Sequence, residues 1–129
     1  MADPAARAVR VFKTACFAKA ARKARISEDQ LCVAIRQVVK GQADDLGGGV
    51  FKKRLNKNMY RAILLTQAGQ RWTYEYLFAK KDRANIEDDE LAAFRQLVKG
   101  YETLSERQIA QLMQDGDLTE ICHDDEAPV

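Results

Sequence analysis

Apolar and polar positions follow clear periods along this chain. Val9-Arg10-Val11-Phe12-Lys13 alternates apolar and basic residues, as a half-buried strand does. Phe17, Ala20, Ala21 and Ala24 then recur at helical spacing and predict a helix over about residues 14–24. Ser27 and Gln30 form an S-x-x-Q capping box, with Ile26 and Leu31 at the staple positions around it. Leu31, Ile35, Val38 and Val39 line one face and Gly41 ends the run, which predicts a helix over about 28–40. Gln42–Asp45 and Gly47–Gly49 read as a loop. Three hydrophobic runs follow, Gly49–Asn56, Met59–Gln67 and Gln70–Lys80, each bounded by turn residues. Asn56-Lys57-Asn58 and Ala68-Gly69 are short enough to be hairpin connections, so the runs predict an antiparallel three-stranded meander. The first short strand makes a fourth if it joins.

Helix starts then return. Ile86 and Leu91 flank Glu87–Glu90, where carboxylates suit the first turn of a helix. Leu91, Phe94, Leu97 and Val98 form its apolar stripe, up to Gly100. Leu104–Ile109 repeats the staple and capping box before a short last helix that ends near Asp115-Gly116. Runs of strands and runs of helices indicate an α+β fold. Its antiparallel sheet of three or four strands packs one face on the two N-terminal helices, and one or two helices follow at the C-terminus.

The length of 129 residues fits one domain, expected over 1–121, with an acidic and loose tail over 122–129. At 47% apolar and 31% charged, the composition excludes a disordered chain. No apolar run approaches the ~20 residues of a membrane span, and Met1–Arg7 leads into no signal-peptide core. A cytoplasmic protein with no membrane partner is expected. Three cysteines in such a chain read as thiols rather than as a disulfide framework. Cys16 and Cys32 fall in predicted helices, where a small apolar residue fits.

Charge changes the picture. Residues 1–85 hold 18 Lys and Arg against 7 Asp and Glu, a balance of +11, while residues 86–129 hold 3 against 12, a balance of −9. A basic body suits an anionic partner. Strand parity puts Lys52 and Arg54 on one face and Phe51, Lys53 and Leu55 on the other. Arg61 opens the next strand after a tight turn, and Lys80-Lys81-Asp82-Arg83 ends the third. These strand ends can converge in a cationic concavity with Tyr60, Tyr74 and Tyr76 nearby, a combination that suits phosphates and bases. Gly47–Gly49 precedes a strand, so it is no Walker loop. Cys122-His123-Asp124-Asp125 holds ligand types but not four spaced Cys and His, so no metal site is expected. His123 is the only histidine, which leaves no Ser-His or Cys-His nucleophile.

In order and spacing, several segments resemble the RelE/HigB-type toxins of bacterial toxin–antitoxin pairs. They are Leu46–Leu55, Tyr60-Arg61, Tyr76–Lys80, Asn85-Ile86 and Asp89–Leu91, and the likeness runs over about residues 10–121. The resemblance implies a RelE/ParE-like α+β fold and a ribosome-dependent endoribonuclease that cuts mRNA and represses translation. It implies no cofactor and no metal. It also implies a cognate antitoxin, expected to be a helix-turn-helix protein. The family's catalytic cations map onto Lys52, Arg54, Arg61 and Lys81. Lys53, Lys57, Lys80 and Arg83 are then expected RNA contacts. Lys52 among cations is the expected general base, because like charges disfavour its charged form. Arg61 and Lys81 are expected to stabilise transition-state charge, and Arg54 keeps its proton. Typical members carry a tyrosine just after the Lys81–Arg83 segment, where this chain has Glu87. Glu87 is therefore an additional catalytic candidate, or only a helix-start residue. Two other functions suit the same residues: a ParE-like gyrase inhibitor that cuts nothing, and a weak RNA-binding relic.

Overall fold

The computed structural model describes residues 9–123. Its elements in chain order are β1 (Arg10–Thr14), α1 (Ala15–Lys23), α2 (Glu28–Val39), β2 (Asp44–Gly47) and β3 (Val50–Leu55). Next come β4 (Tyr60–Gln67), β5 (Arg71–Ala79), α3 (Asp88–Glu102), α4 (Glu106–Gln114) and β6 (Leu118–Ile121). The helix starts follow their local chemistry. The Thr14 hydroxyl accepts the Phe17 N–H at 3.0 Å. Ser27 and Ser105 each complete a capping box with the glutamine three residues on.

The sheet order is β2-β3-β4-β5-β1-β6, with six strands among the described residues. This corrects the expected antiparallel sheet of three or four. The meander of β3, β4 and β5 is antiparallel, but β1 runs parallel to β5 and antiparallel to β6. Two edge strands were hidden because each is only four residues long and lacks apolar alternation. The Gly47–Gly49 segment is the turn that joins β2 to β3, not a free loop. A Cβ on Gly49 would lie 2.8 Å from the Thr66 carbonyl oxygen and 2.9 Å from Val98, and its φ is +84°. Only glycine fits there.

Helices cover both faces. On one, α1 and α2 bury Phe17, Ala21, Leu31 and Ile35 against Val11, Leu64, Trp72 and Tyr74. The buried Tyr74 hydroxyl donates to the Leu31 carbonyl at 2.7 Å. On the other, α3 packs Val98, Phe94 and Leu91 over Val50, Ile63 and Leu65. Beside it, α4 packs Ile109 over Phe12 and Leu118. Val39 and Leu97, expected in the apolar stripes, are exposed.

The cysteines differ from expectation. Cys32 in α2 and Cys122 after β6 form a disulfide across 90 residues of sequence, and Cys16 is a free, exposed thiol. Because β6 lies beside β1, the chain brings Cys122 back to the helical layer over that strand. Residue 122, expected in a loose tail, is thus tied to the body. Residues 124–129 of that tail lie outside the described residues, as does the Met1–Arg7 segment.

Candidate functional site

In the β3–β4 ladder Val50 pairs with Leu65, Lys52 with Ile63, and Arg54 with Arg61. Paired residues share a face, so Lys52, Arg54 and Arg61 stand together, on the side that α3 partly covers. Under α3 this face is apolar. Toward the Asn56–Asn58 hairpin it turns cationic, with Phe78 of β5 opposite Arg61. A bulge between Ile63 and Leu64 pairs Ile63 with Tyr76 and Leu64 with Tyr74. The extra residue, Glu75, changes parity. Tyr76 therefore joins the cationic face, whereas Tyr74 is buried under α2. Tyr60 packs partly with the α1–α2 core. Of the three tyrosines expected nearby, only Tyr76 shares this face.

Arg61 is not an open surface cation. It is 8% exposed, and its Nη1 donates to the carbonyls of Asn58 at 2.9 Å and Tyr60 at 3.4 Å. The same hydrogen bonds fasten the hairpin turn. Its Nε and Nη2 find no acceptor among the described residues. Arg54, Lys57, Lys80 and Lys81 are exposed and carry no ion pair among the described residues.

Lys52 has a different neighbourhood from the one expected. Its Nζ lies 3.7 Å from Asp44 of β2 and donates to Asn85 Oδ1 at 3.3 Å. Its nearest charge is thus a carboxylate. Lys53 is the lysine held below its ordinary range, first by burial and then by Arg54. It lies on the opposite face and donates to the Gln42 carbonyl at 3.0 Å. Lys53, an expected RNA contact, thus lies away from Lys52 and Arg54, on the face that strand parity predicts.

Arg83 is also committed. It pairs with Glu90, donates to the Tyr76 hydroxyl at 3.2 Å and to the Asn85 carbonyl at 3.0 Å, and lies 5.5 Å from the Phe78 ring centre. Its guanidinium is held further above its ordinary range, mainly by Glu90. Glu90 is in turn held below the usual carboxylate range, first by Arg83 and then by the Glu87 N–H. Glu87 is the N-cap of α3, and its backbone N–H donates to Glu90 at 2.8 Å. The carboxylate that meets the strand-end cation is Glu90, not Glu87. Sequence reasoning missed Asp44, Asn85 and Glu90 as site neighbours, whereas Tyr76 was expected there. The only available signal was the three-residue spacing from Glu87 to Glu90, which places the second carboxylate back over the helix start.

This arrangement defines a small α+β protein whose sheet gathers cations at the hairpin end of one face. A family model described as the RelE toxin of the RelE/RelB toxin–antitoxin system matches residues 9–121, and the chain belongs to that family. The family is one of toxins paired with antitoxins, generally translation-inhibiting endoribonucleases. Comparison with curated proteins finds no match, and comparison with solved structures finds none either.

Proposed function

We propose that this chain is a ribosome-dependent mRNA endoribonuclease, held in check by a cognate antitoxin in the bacterial cytoplasm. The observation that carries the reading is the facing of Arg54 and Arg61 across the β3–β4 ladder, with Lys52 two residues behind on the same face. Like charges brought together cost the free protein. The cost is offset when a polyanion occupies the face.

Attack of a ribose 2′-oxygen on its own phosphorus gives a cyclic phosphate and frees the 5′-oxygen. Arg54, Arg61 and Lys81 stabilise the extra negative charge at phosphorus. Lys52, paired with Asp44 at 3.7 Å, adds its charge to theirs, and water takes the 2′-hydroxyl proton. The departing 5′-oxygen takes a proton from water. Arg83 holds the start of α3 against the strand end through Glu90 and acts as a positioning residue. Glu87 serves the helix start.

The test is to add purified chain to translating ribosomes and map new RNA ends. Codon-phased cuts in wild type, lost in Lys52→Ala and Arg54→Ala, support the reading. Arg61→Lys keeps the charge near the hairpin carbonyls and should lose cleavage while remaining folded. Induction that damages DNA without such cuts would make the chain a gyrase inhibitor of the ParE kind. The antitoxin is proposed to be a helix-turn-helix protein with carboxylates for this face, so its binding should weaken as salt rises.

A further inference from the structure

A recess of about 440 Å³ lies at the end of the sheet, just past the cationic face. Met59, Tyr60 and Ala79 form its apolar surfaces, and Lys57, Lys80 and Lys81 stand around it. Both walls are built. Tyr60 pairs with Ala79 in the ladder, and the Lys80 N–H donates to the Met59 carbonyl at 2.9 Å. The hairpin wall is set by three consecutive left-handed residues, Asn56, Lys57 and Asn58, with φ of 51°, 54° and 71°. Arg61 fastens that turn through the Asn58 carbonyl.

Two features identify an occupant. Every charged residue lining the recess is a lysine, and none of the three has an ion pair among the described residues. Met59 is 58% exposed although large and apolar. Compact ammonium groups suit phosphates. A polarisable thioether beside an aromatic ring suits the flat face of a base. Lys81 belongs both to this recess and to the proposed catalytic set.

We propose that the recess is a nucleotide subsite, in which one unpaired base of the RNA strand lies against Met59 and Tyr60 while Lys57 and Lys80 hold its flanking phosphates. The proposal rests on the RNA-cleaving reading and adds a position at which base identity near the cut can be sensed.

A short single-stranded RNA carrying 2-aminopurine, titrated into the isolated chain, tests this without ribosomes. Bound 2-aminopurine should be quenched, and a duplex of the same sequence should bind more weakly. Met59→Ser, at an exposed position, should leave the thermal midpoint unchanged, abolish the quench and weaken binding by about fivefold or more, the scale of base stacking. Equal binding of strand and duplex, or a quench that survives in both Met59→Ser and Tyr60→Leu, would overturn the subsite. Binding of an oligoglutamate peptide that depends on Met59, with no such dependence for RNA, would overturn it in favour of an acidic protein segment. The two readings separate cleanly. Message cleavage with no quench removes the subsite alone, whereas quenching with no cleavage on ribosomes removes the endoribonuclease alone.

Discussion

Arg54 and Arg61 stand directly opposite each other in the β3–β4 ladder, one exposed and the other nearly buried. Directly opposed like charges are destabilising, on a scale of about 0.2–1 kcal/mol for a cross-strand pair. Arg54→Thr should therefore raise the thermal midpoint while abolishing cleavage. Differential scanning calorimetry at low and high salt checks it. The gain should shrink as salt screens the repulsion in wild type. A loss of stability would mean that Arg54 contributes packing beyond its charge.

Glu87 and Glu90 should separate on substitution. Glu90 carries the ion pair to Arg83 and accepts the Glu87 N–H. Its depressed carboxyl contributes stability that is present above the ordinary glutamate pKa and is lost as pH falls through the lowered value. Glu90→Gln should remove that acid-sensitive contribution and loosen the turn before α3. Glu87→Gln should leave both the acid limb of stability and the cleavage rate unchanged. A drop in cleavage of about 10²-fold in Glu87→Gln, with the fold intact, would assign Glu87 to proton transfer instead.

Much of this site was legible because strand parity and a tight hairpin act over a few residues. Lys52 and Arg54 share a face by alternation, and the four-residue Asn56–Met59 connection fixes Arg61 opposite Arg54. What stayed hidden depends on partners distant in sequence. Asp44 reaches Lys52 only because β2 pairs with β3, and the four residues of β2 show no alternation to announce a strand. The parallel placement of β1 beside β5 is a choice of the whole sheet, which no local period encodes. Parity also failed locally at Glu75, where a bulge turned Tyr76 toward the cations and left Tyr74 in the core.

The Cys32–Cys122 bond should be a major source of stability for the C-terminal strand. It spans 90 residues of sequence, and chain-entropy arithmetic for a loop of that length gives about 4–5 kcal/mol. Denaturant midpoints with and without reductant, and for the Cys32→Ala/Cys122→Ala double variant, measure it. Reductant should lower the midpoint of wild type and leave that of the double variant in place. Hydrogen exchange should then rise first in β6, which also holds Arg10 through Glu120 at 2.9 Å. An unchanged midpoint on reduction would show that β6 docks by packing and ion pairs alone.

Glu75 offers a prediction of opposite sign. It is the bulge residue of β5, half-buried beside α3, and accepts the Tyr101 hydroxyl at 2.7 Å. Burial pushes its carboxyl above the usual range, and the Tyr101 hydrogen bond only partly counters this. Tyr101 is itself raised, first by burial and then by Glu75. A carboxyl whose folded pKa is raised contributes stability below its unfolded pKa, and that contribution is lost as pH rises through the folded value. Burial of this carboxyl therefore works against its charged form. Glu75→Gln keeps the oxygen that Tyr101 needs and removes the charge. It should raise the thermal midpoint near pH 7, and the advantage should vanish below about pH 4, where the glutamate is protonated in both states. Thermal scans across that range decide the matter. A glutamine variant less stable than wild type at neutral pH would mean that the ionised Glu75–Tyr101 hydrogen bond outweighs the cost of burying the charge.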